Sequence, residues 1–237
     1  MKNFSIILGA IILVLFVTLV IWGVYCDNTI AITNYCVNNT KNDAKLKFVV
    51  ITDLHNKEYG EKNADLAELV KEQNPDFIAV CGDMVNRGDP DTTKMKDVLE
   101  KLSKIAPTYC CLGNHERDNA AKFGTDFKSE TNSTGAVLLD NEYIKFTKNG
   151  KSVLIGGVSD YPYYEFYTPD DDVPSRTLWE EFAEKAKNNF TILLHHQPEY
   201  IAEDAKKTDI DLIVCGHTHG GQILSLIHIS EPTRLAL

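Results

Sequence analysis

Five short polar clusters each stand where an apolar, strand-like run ends: Asp53-Leu54-His55, Gly82-Asp83, Gly113-Asn114-His115-Glu116, His195-His196 and Gly216-His217-Thr218-His219. The runs before them, residues 48–52, 77–81, 108–112, 190–194 and 212–215, are short and rich in β-branched or aromatic residues, which is the pattern of buried strands. A chain that repeatedly delivers His, Asp and Asn to the ends of core strands gathers those side chains in one place. Such a set suits metal ions.

Between the runs, residues 61–73 carry Leu66, Leu69 and Val70 at helical spacing before Pro75, and residues 92–105 carry Met95, Val98, Leu99, Leu102 and Ile105 before Pro107. Strands alternating with helices of this length predict a largely parallel sheet with helices on its faces. The middle differs. Residues 136–160 read as successive strands, with Lys148-Asn149-Gly150-Lys151 as a hairpin turn between residues 143–147 and 152–157, so antiparallel pairing is expected there. A helix is predicted over about residues 176–187, after a Tyr- and Asp-rich loop at 161–174. That loop is read either as packed on itself or as touching the site or a membrane surface.

At the front, residues 4–25 contain no charge. A helix of that length reaches about 33 Å at about 1.5 Å per residue, enough for a hydrocarbon core of about 30 Å. A secretory leader is the rival reading, but its apolar part is shorter and ends at a small-x-small cleavage site; Trp22-Gly23-Val24-Tyr25-Cys26 offers none. Lys2 lies on one side of the segment and no Lys or Arg falls between 26 and 40 on the other, which predicts the amino end inside and the bulk of the chain outside. Residues 26–46 read as a polar stalk, with the alternating stretch 29–37 as a candidate edge strand. The globular domain is expected over 47–223. Residues 224–237, with Leu224-Ser225-Leu226-Ile227-His228-Ile229-Ser230-Glu231-Pro232-Thr233-Arg234, look like the translation of an adapter used in preparing sequencing libraries. They are set aside as a non-native tail, with the natural frame continuing differently beyond Ile223.

The net charge of −10 gives a nucleic-acid groove no support. The six cysteines include no C-x-x-C pair, and Cys81 and Cys215 read as small buried hydrophobes.

In order and neighbouring residues the clusters resemble the calcineurin-like metallophosphoesterase family: D-L-H, G-D-M-V-N, G-N-H-E, L-L-H-H-Q-P-E and G-H-T-H-G-G-Q, over residues 46–223. The anchored layout looks like its bacterial membrane-bound branch. The resemblance implies a four-layer α/β/β/α sandwich of two mixed sheets flanked by helices, joined to one transmembrane helix. It also implies two divalent or trivalent cations, with Mn, Fe or Zn suiting the donors better than Ca. By similarity Asp83 bridges them, Asp53, His55 and His219 complete one site, and Asn114, His196 and His217 complete the other. A hydroxide held between the ions would attack phosphorus. His115, one residue past a ligand, is then the catalytic residue on the leaving-group side, and Glu116 supports the loop. Strand alternation allows only one of His195 and His196 to face the metals, and the family's His-x-Pro ending favours His196. Asp160 is either a loop cap or a substrate contact. The implied activity is hydrolysis of a phosphodiester, pyrophosphate or phosphomonoester in a small-molecule or lipid-linked substrate near the membrane. A nuclease or cyclic-nucleotide phosphodiesterase, and an inactive binding platform, are the alternatives.

Overall fold

The structure, a computed structural model, describes residues 2–38, 41, 44–158 and 174–219. Two compact units divide at Cys36 and Val37. The first contains helix α1, Lys2–Asn28. Its stretch Ile6–Tyr25, with mean hydropathy 2.9, is long and apolar enough to cross a membrane. The predicted edge strand over residues 29–37 is absent. Instead the Thr29 hydroxyl and the Asn28 amide turn back to the carbonyls of Tyr25 and Val24, at 3.0 and 2.8 Å, satisfying the end of α1 in place of a ladder.

The second unit starts at Val37, earlier than the boundary at 47. Val37, Ala44 and Leu46 pack against its core, and Lys41 Nζ donates to Ala186 O at 2.5 Å, Asp209 O at 2.6 Å and Asp211 Oδ2 at 2.8 Å. Four parallel strands, β1 (Phe48–Ile51), β2 (Phe77–Cys81), β3 (Thr108–Cys111) and β4 (Val137–Leu138), form one sheet in sequence order. The second sheet runs β5 (Glu142–Lys148), β6 (Lys151–Gly157), β7 (Phe190–Leu194), β8 (Leu212–Val214). In it the β5–β6 pair is antiparallel and the rest parallel. The hairpin predicted at Asn149-Gly150 forms, with φ of 51° and 76°, the left-handed conformations that a two-residue turn of this kind requires.

The parallel crossovers are helical: α2 (Ala64–Glu72) after a 3-10 turn at Glu61–Asn63, α3 (Thr93–Ile105), α4 (Asn114–Phe123) with α5 (Phe127–Asn132), α6 (Pro174–Ala186) and α7 (Pro198–Ala205). Strand alternation assigns the layers. Phe77, Ala79 and Cys81 of the first sheet meet Val153, Ile155, Phe190, Ile192, Leu194, Leu212 and Val214 of the second in one buried cluster. The opposite face of the first sheet, with Val80 and Cys110, packs on Met95 and Leu99 of α3. Leu154 and Leu193 cover the other side of the second sheet and meet Leu178, Trp179 and Phe182 of α6 and Ile201 of α7. Each such side chain removed from water contributes about 1.5–3 kcal/mol. The result is a sandwich of two sheets with helices outside. Cys81 is fully buried as expected, whereas Cys215 is only partly so. Asp160, most of the Tyr-rich loop and the tail at 224–237 lie outside the described residues.

Candidate metal centre

Beyond the last strand residues the loops keep running side by side, so the ladder continues into the polar clusters. Asp53 N donates to Gly82 O at 3.1 Å, His55 N to Asp83 O at 2.9 Å and Asn56 N to Met84 O at 2.9 Å. In the second sheet Gly216 N donates to His196 O at 3.0 Å. The two sheets are stitched together here: His217 N donates to both carboxylate oxygens of Asp53, at 3.2 and 3.0 Å, and His196 Nδ1 lies 2.7 Å from Cys81 O. The site therefore stands at the carboxyl ends of both sheets, over the inter-sheet core.

The backbone reaches these positions through left-handed turns. Asp53, His55, Asp83, His217 and His219 have φ of 57°, 47°, 53°, 72° and 48°, conformations that cost a non-glycine residue free energy and that cluster at functional sites. Glycines allow the closest approaches. A Cβ on Gly82, itself at φ 75°, would come within 2.5 Å of Gly113 N and 2.9 Å of His196 Nδ1, and one on Gly113 would overlap the Asp83 carboxylate.

Two groups of ligand atoms are each drawn together within 4.8 Å: Asp53, His55 and His219, and Asp83, His196 and His217. A third joins Asp83 to His55 and His115. Asp83, 1% exposed, is central: its Oδ2 is 3.7 Å from His55 Nε2, 3.1 Å from His196 Nε2 and 3.9 Å from His115 Nε2. Its Oδ1 accepts from His115 N at 2.8 Å. Asp53 Oδ1 is 3.8 Å from His55 Nε2, 3.6 Å from His219 Nε2 and 3.8 Å from His196 Nε2.

The donor set fits a cation. Cys81 O can only accept, so His196 carries a proton on Nδ1, and the neutral ring presents a lone pair at Nε2. That atom is buried and makes no hydrogen bond, although it lies 3.1 Å from Asp83 Oδ2. Two acceptors thus face each other across a distance that only a positive charge makes favourable. Likewise His55 Nε2 and His219 Nε2 face each other at 3.2 Å, and the buried Asn114 Oδ1 has no hydrogen-bond partner. The electrostatics agree. Burial opposes a charge on His196, but the carboxylate of Asp83, the Cys81 carbonyl and the charge of Asp53 outweigh it and raise its pKa to about 9. For Asp83 burial also works against ionisation, and His196 with the His115 N–H overcomes it, leaving the pKa below the usual carboxylate value. The site favours positive charge at Nε2 of His196, which a proton or a bound cation would supply.

His195 faces away. It is fully buried, its Nδ1 is 3.2 Å from Val158 O, and burial lowers its pKa to about 4, so it is neutral in the core. His115 packs edge-on to His55 at 4.4 Å between ring centres. Burial first, and then the charge of Arg87, lower its pKa, against Asp83, which acts to raise it. The Arg87 guanidinium Nη2 stands 3.0 Å from His115 Nε2, a cation that disfavours a metal ion at the same nitrogen.

Three residues stand out that side-chain periodicity does not reveal. Arg87 is four positions past Asp83 in the Gly82-to-Gly88 loop. Glu116 accepts four backbone N–H bonds: from Asp83 and Gly113 on Oε2, both at 2.8 Å, and from Met84 and Val85 on Oε1, at 2.7 and 3.1 Å. Glu199 Oε1 is 3.3 Å from His217 Nε2. The only sequence signal for the last was its place in H-H-Q-P-E.

An α/β sandwich with this donor set at its strand ends defines the class of metallophosphoesterases. A family model described as calcineurin-like phosphoesterase matches residues 46–221, and the chain belongs to that family. It is 28% identical over 194 residues to the uncharacterised metallophosphoesterase YkoQ of Bacillus subtilis, over 81% of this chain and 66% of that protein. The same figures hold for the phosphodiesterase YaeI of Escherichia coli. A transmembrane protein with a metallophosphoesterase domain from Danio rerio is 27% identical over 196 residues, 76% of this chain and 42% of that one. The chain thus spans just under two thirds, or less, of the length of these relatives. The structure of TT1561 from Thermus thermophilus superposes with a TM-score of 0.51 at 11% identity, over 72% of this chain and 81% of that one, a likeness of fold alone.

Proposed function

We propose that the chain is a membrane-anchored phosphohydrolase that uses two metal ions, one on Asp53, His55, Asp83 and His219, the other on Asp83, Asn114, His196 and His217. The observation that carries this reading is the single Asp83 carboxylate, within 3.7 Å of His55 Nε2 and 3.1 Å of His196 Nε2, one nitrogen from each set. When bound, such a pair supplies Lewis acidity toward phosphoryl oxygens and a nucleophile at neutral pH. The chain's own residues do the rest. His217 N–H and the Thr52 hydroxyl, 2.8 Å from Asp53 Oδ2, fix the Asp53 carboxylate. His115, with a depressed pKa, lies where it can hand a proton to, or take one from, a departing oxygen. Arg87, about half exposed, offers a guanidinium fork to a phosphate at the rim.

Residues 4–25 act as the anchor in this reading, with the amino end inside and the catalytic domain outside. With the domain tethered to that anchor, phosphate in a lipid-linked or envelope compound is the substrate class. The E. coli relative's description as a phosphodiesterase supports a diester bond.

The test is turnover of a chromogenic phosphodiester by the detergent-solubilised protein. Stripping metal with a chelator abolishes it and Mn²⁺ restores it. His115→Ala lowers kcat by about 10²-fold with ion content intact. Turnover that survives complete metal removal, or that is equal in wild type and His115→Ala, would sink the proposal. Equal rates on soluble and vesicle-embedded substrates would remove the lipid-linked part alone.

A further inference from the structure

The geometry points to Glu199 as a positioning residue that fixes which nitrogen of His217 faces the metal centre, an inference that rests on the proposed ligand set. His217 leaves β8 at φ 72°, and its side chain is 31% exposed. Its backbone is held by Asp53, but that does not orient the ring. Besides an edge contact with the His196 ring, at 5.3 Å between centres, the ring meets two polar groups among the described residues. Glu199 Oε1 lies 3.3 Å from Nε2, and the Gln197 amide nitrogen is 3.5 Å from the same atom, at the outer limit of a hydrogen bond.

A carboxylate only accepts, so its partner nitrogen must carry the proton. With the proton on Nε2, the lone pair of a neutral His217 is on Nδ1, the nitrogen left to ligate. This is the way an acidic partner usually holds a metal-bound imidazole: it fixes the tautomer, aims the ring and raises the basicity of the ligating nitrogen. Glu199 is well placed for it. It follows Pro198 in the first turn of α7, where the proline ring presets the helical backbone, so the carboxylate projects from a rigid turn. α7 in turn packs through the fully buried Ile201. Glu199 therefore couples the second-sheet helix layer to the ligand on the loop after β8, with no part in the bonds made or broken.

Mn²⁺ titration of the chelator-stripped, full-length protein in detergent, followed by calorimetry, tests this. Glu199→Ala should weaken one of the two bound ions by about 10- to 100-fold and leave the other unchanged. Glu199→Gln, whose amide oxygen still accepts from Nε2, should recover most of the loss. In a His217→Ala background, Glu199→Ala should add less than about twofold. Unchanged affinities in Glu199→Ala beside two ions in wild type would overturn this role while leaving the two-metal reading standing. A fall in the melting temperature of the metal-free protein that parallels the loss would overturn it in favour of plain fold support. Wild type that takes up no Mn²⁺ would overturn both.

Discussion

Asp83→Ala abolishes hydrolysis. The loss should exceed about 10⁴-fold, because in the proposed centre this one carboxylate would hold, on both sides, ions able to bring a water's pKa from about 15.7 to about 7. The variant should fold, since the methyl group leaves the backbone bonds of residue 83 intact: its N–H still meets Glu116 Oε2 at 2.8 Å and its carbonyl still accepts from His55 N at 2.9 Å. What disappears is the acceptor for His115 N and the negative charge facing His55 and His196. Steady-state kinetics on a phosphodiester beside circular dichroism separates the two consequences. A folded Asp83→Ala protein within about tenfold of wild-type kcat would contradict the assignment.

Glu116→Ala should be as damaging to the fold as Asp83→Ala is to the reaction. Its carboxylate, 3% exposed, is the acceptor for a set of N–H groups on two loops, residues 83–85 and Gly113. It closes half of a capping box on α4 and at the same time clamps the loop carrying Asp83 to the loop carrying Asn114. Burial first, and then the charge of Asp83, push its pKa upward, opposed by the backbone N–H groups. Each buried donor left without a partner costs about 1–3 kcal/mol. Even with water entering the vacated space, a loss of about 3–5 kcal/mol follows, against total stabilities of about 5–15 kcal/mol. At about 2–4 °C per kcal/mol for a domain of this size, thermal denaturation should show Tm lower by about 10 °C or more. Glu116→Gln should fall between, because its amide nitrogen confronts N–H donors where an oxygen accepted them. A shift under about 2 °C in Glu116→Ala would mean that the clamp carries little.

How much could be read without the structure follows from what each signal encodes. Short, continuous runs rich in β-branched and aromatic residues report strands buried on both faces, so Phe77–Cys81 and Phe190–Leu194 were placed to the residue. The hairpin at Asn149-Gly150 was legible because only certain residues tolerate its backbone. Strand alternation gave the His195 and His196 pair one inward and one outward member, and the resemblance favoured His196; the Cys81 carbonyl across the sheet boundary lies against that ring, whose Nε2 is 3.1 Å from Asp83 Oδ2. The alternation at residues 29–37 misled because a strand needs a neighbour with free backbone groups, and there the chain turns back to cap α1 instead. Helices α4 and α5 were not foreseen, since α4 opens on ligand residues and its first turn is held by Glu116 rather than by an apolar stripe. Arg87 and Glu199 escaped for a common reason. Their importance lies in partners 28 and 18 positions away, and spacing along a chain carries no record of which loops meet.

Elemental analysis of the purified, Mn²⁺-loaded wild-type chain, scored against protein concentration after gel filtration, puts the shared carboxylate to the most direct test. Two ions per chain, both lost on Asp83→Ala while His195→Phe keeps both, is the predicted result. A single ion in the wild-type protein, or two that persist when Asp83 is replaced, would contradict it.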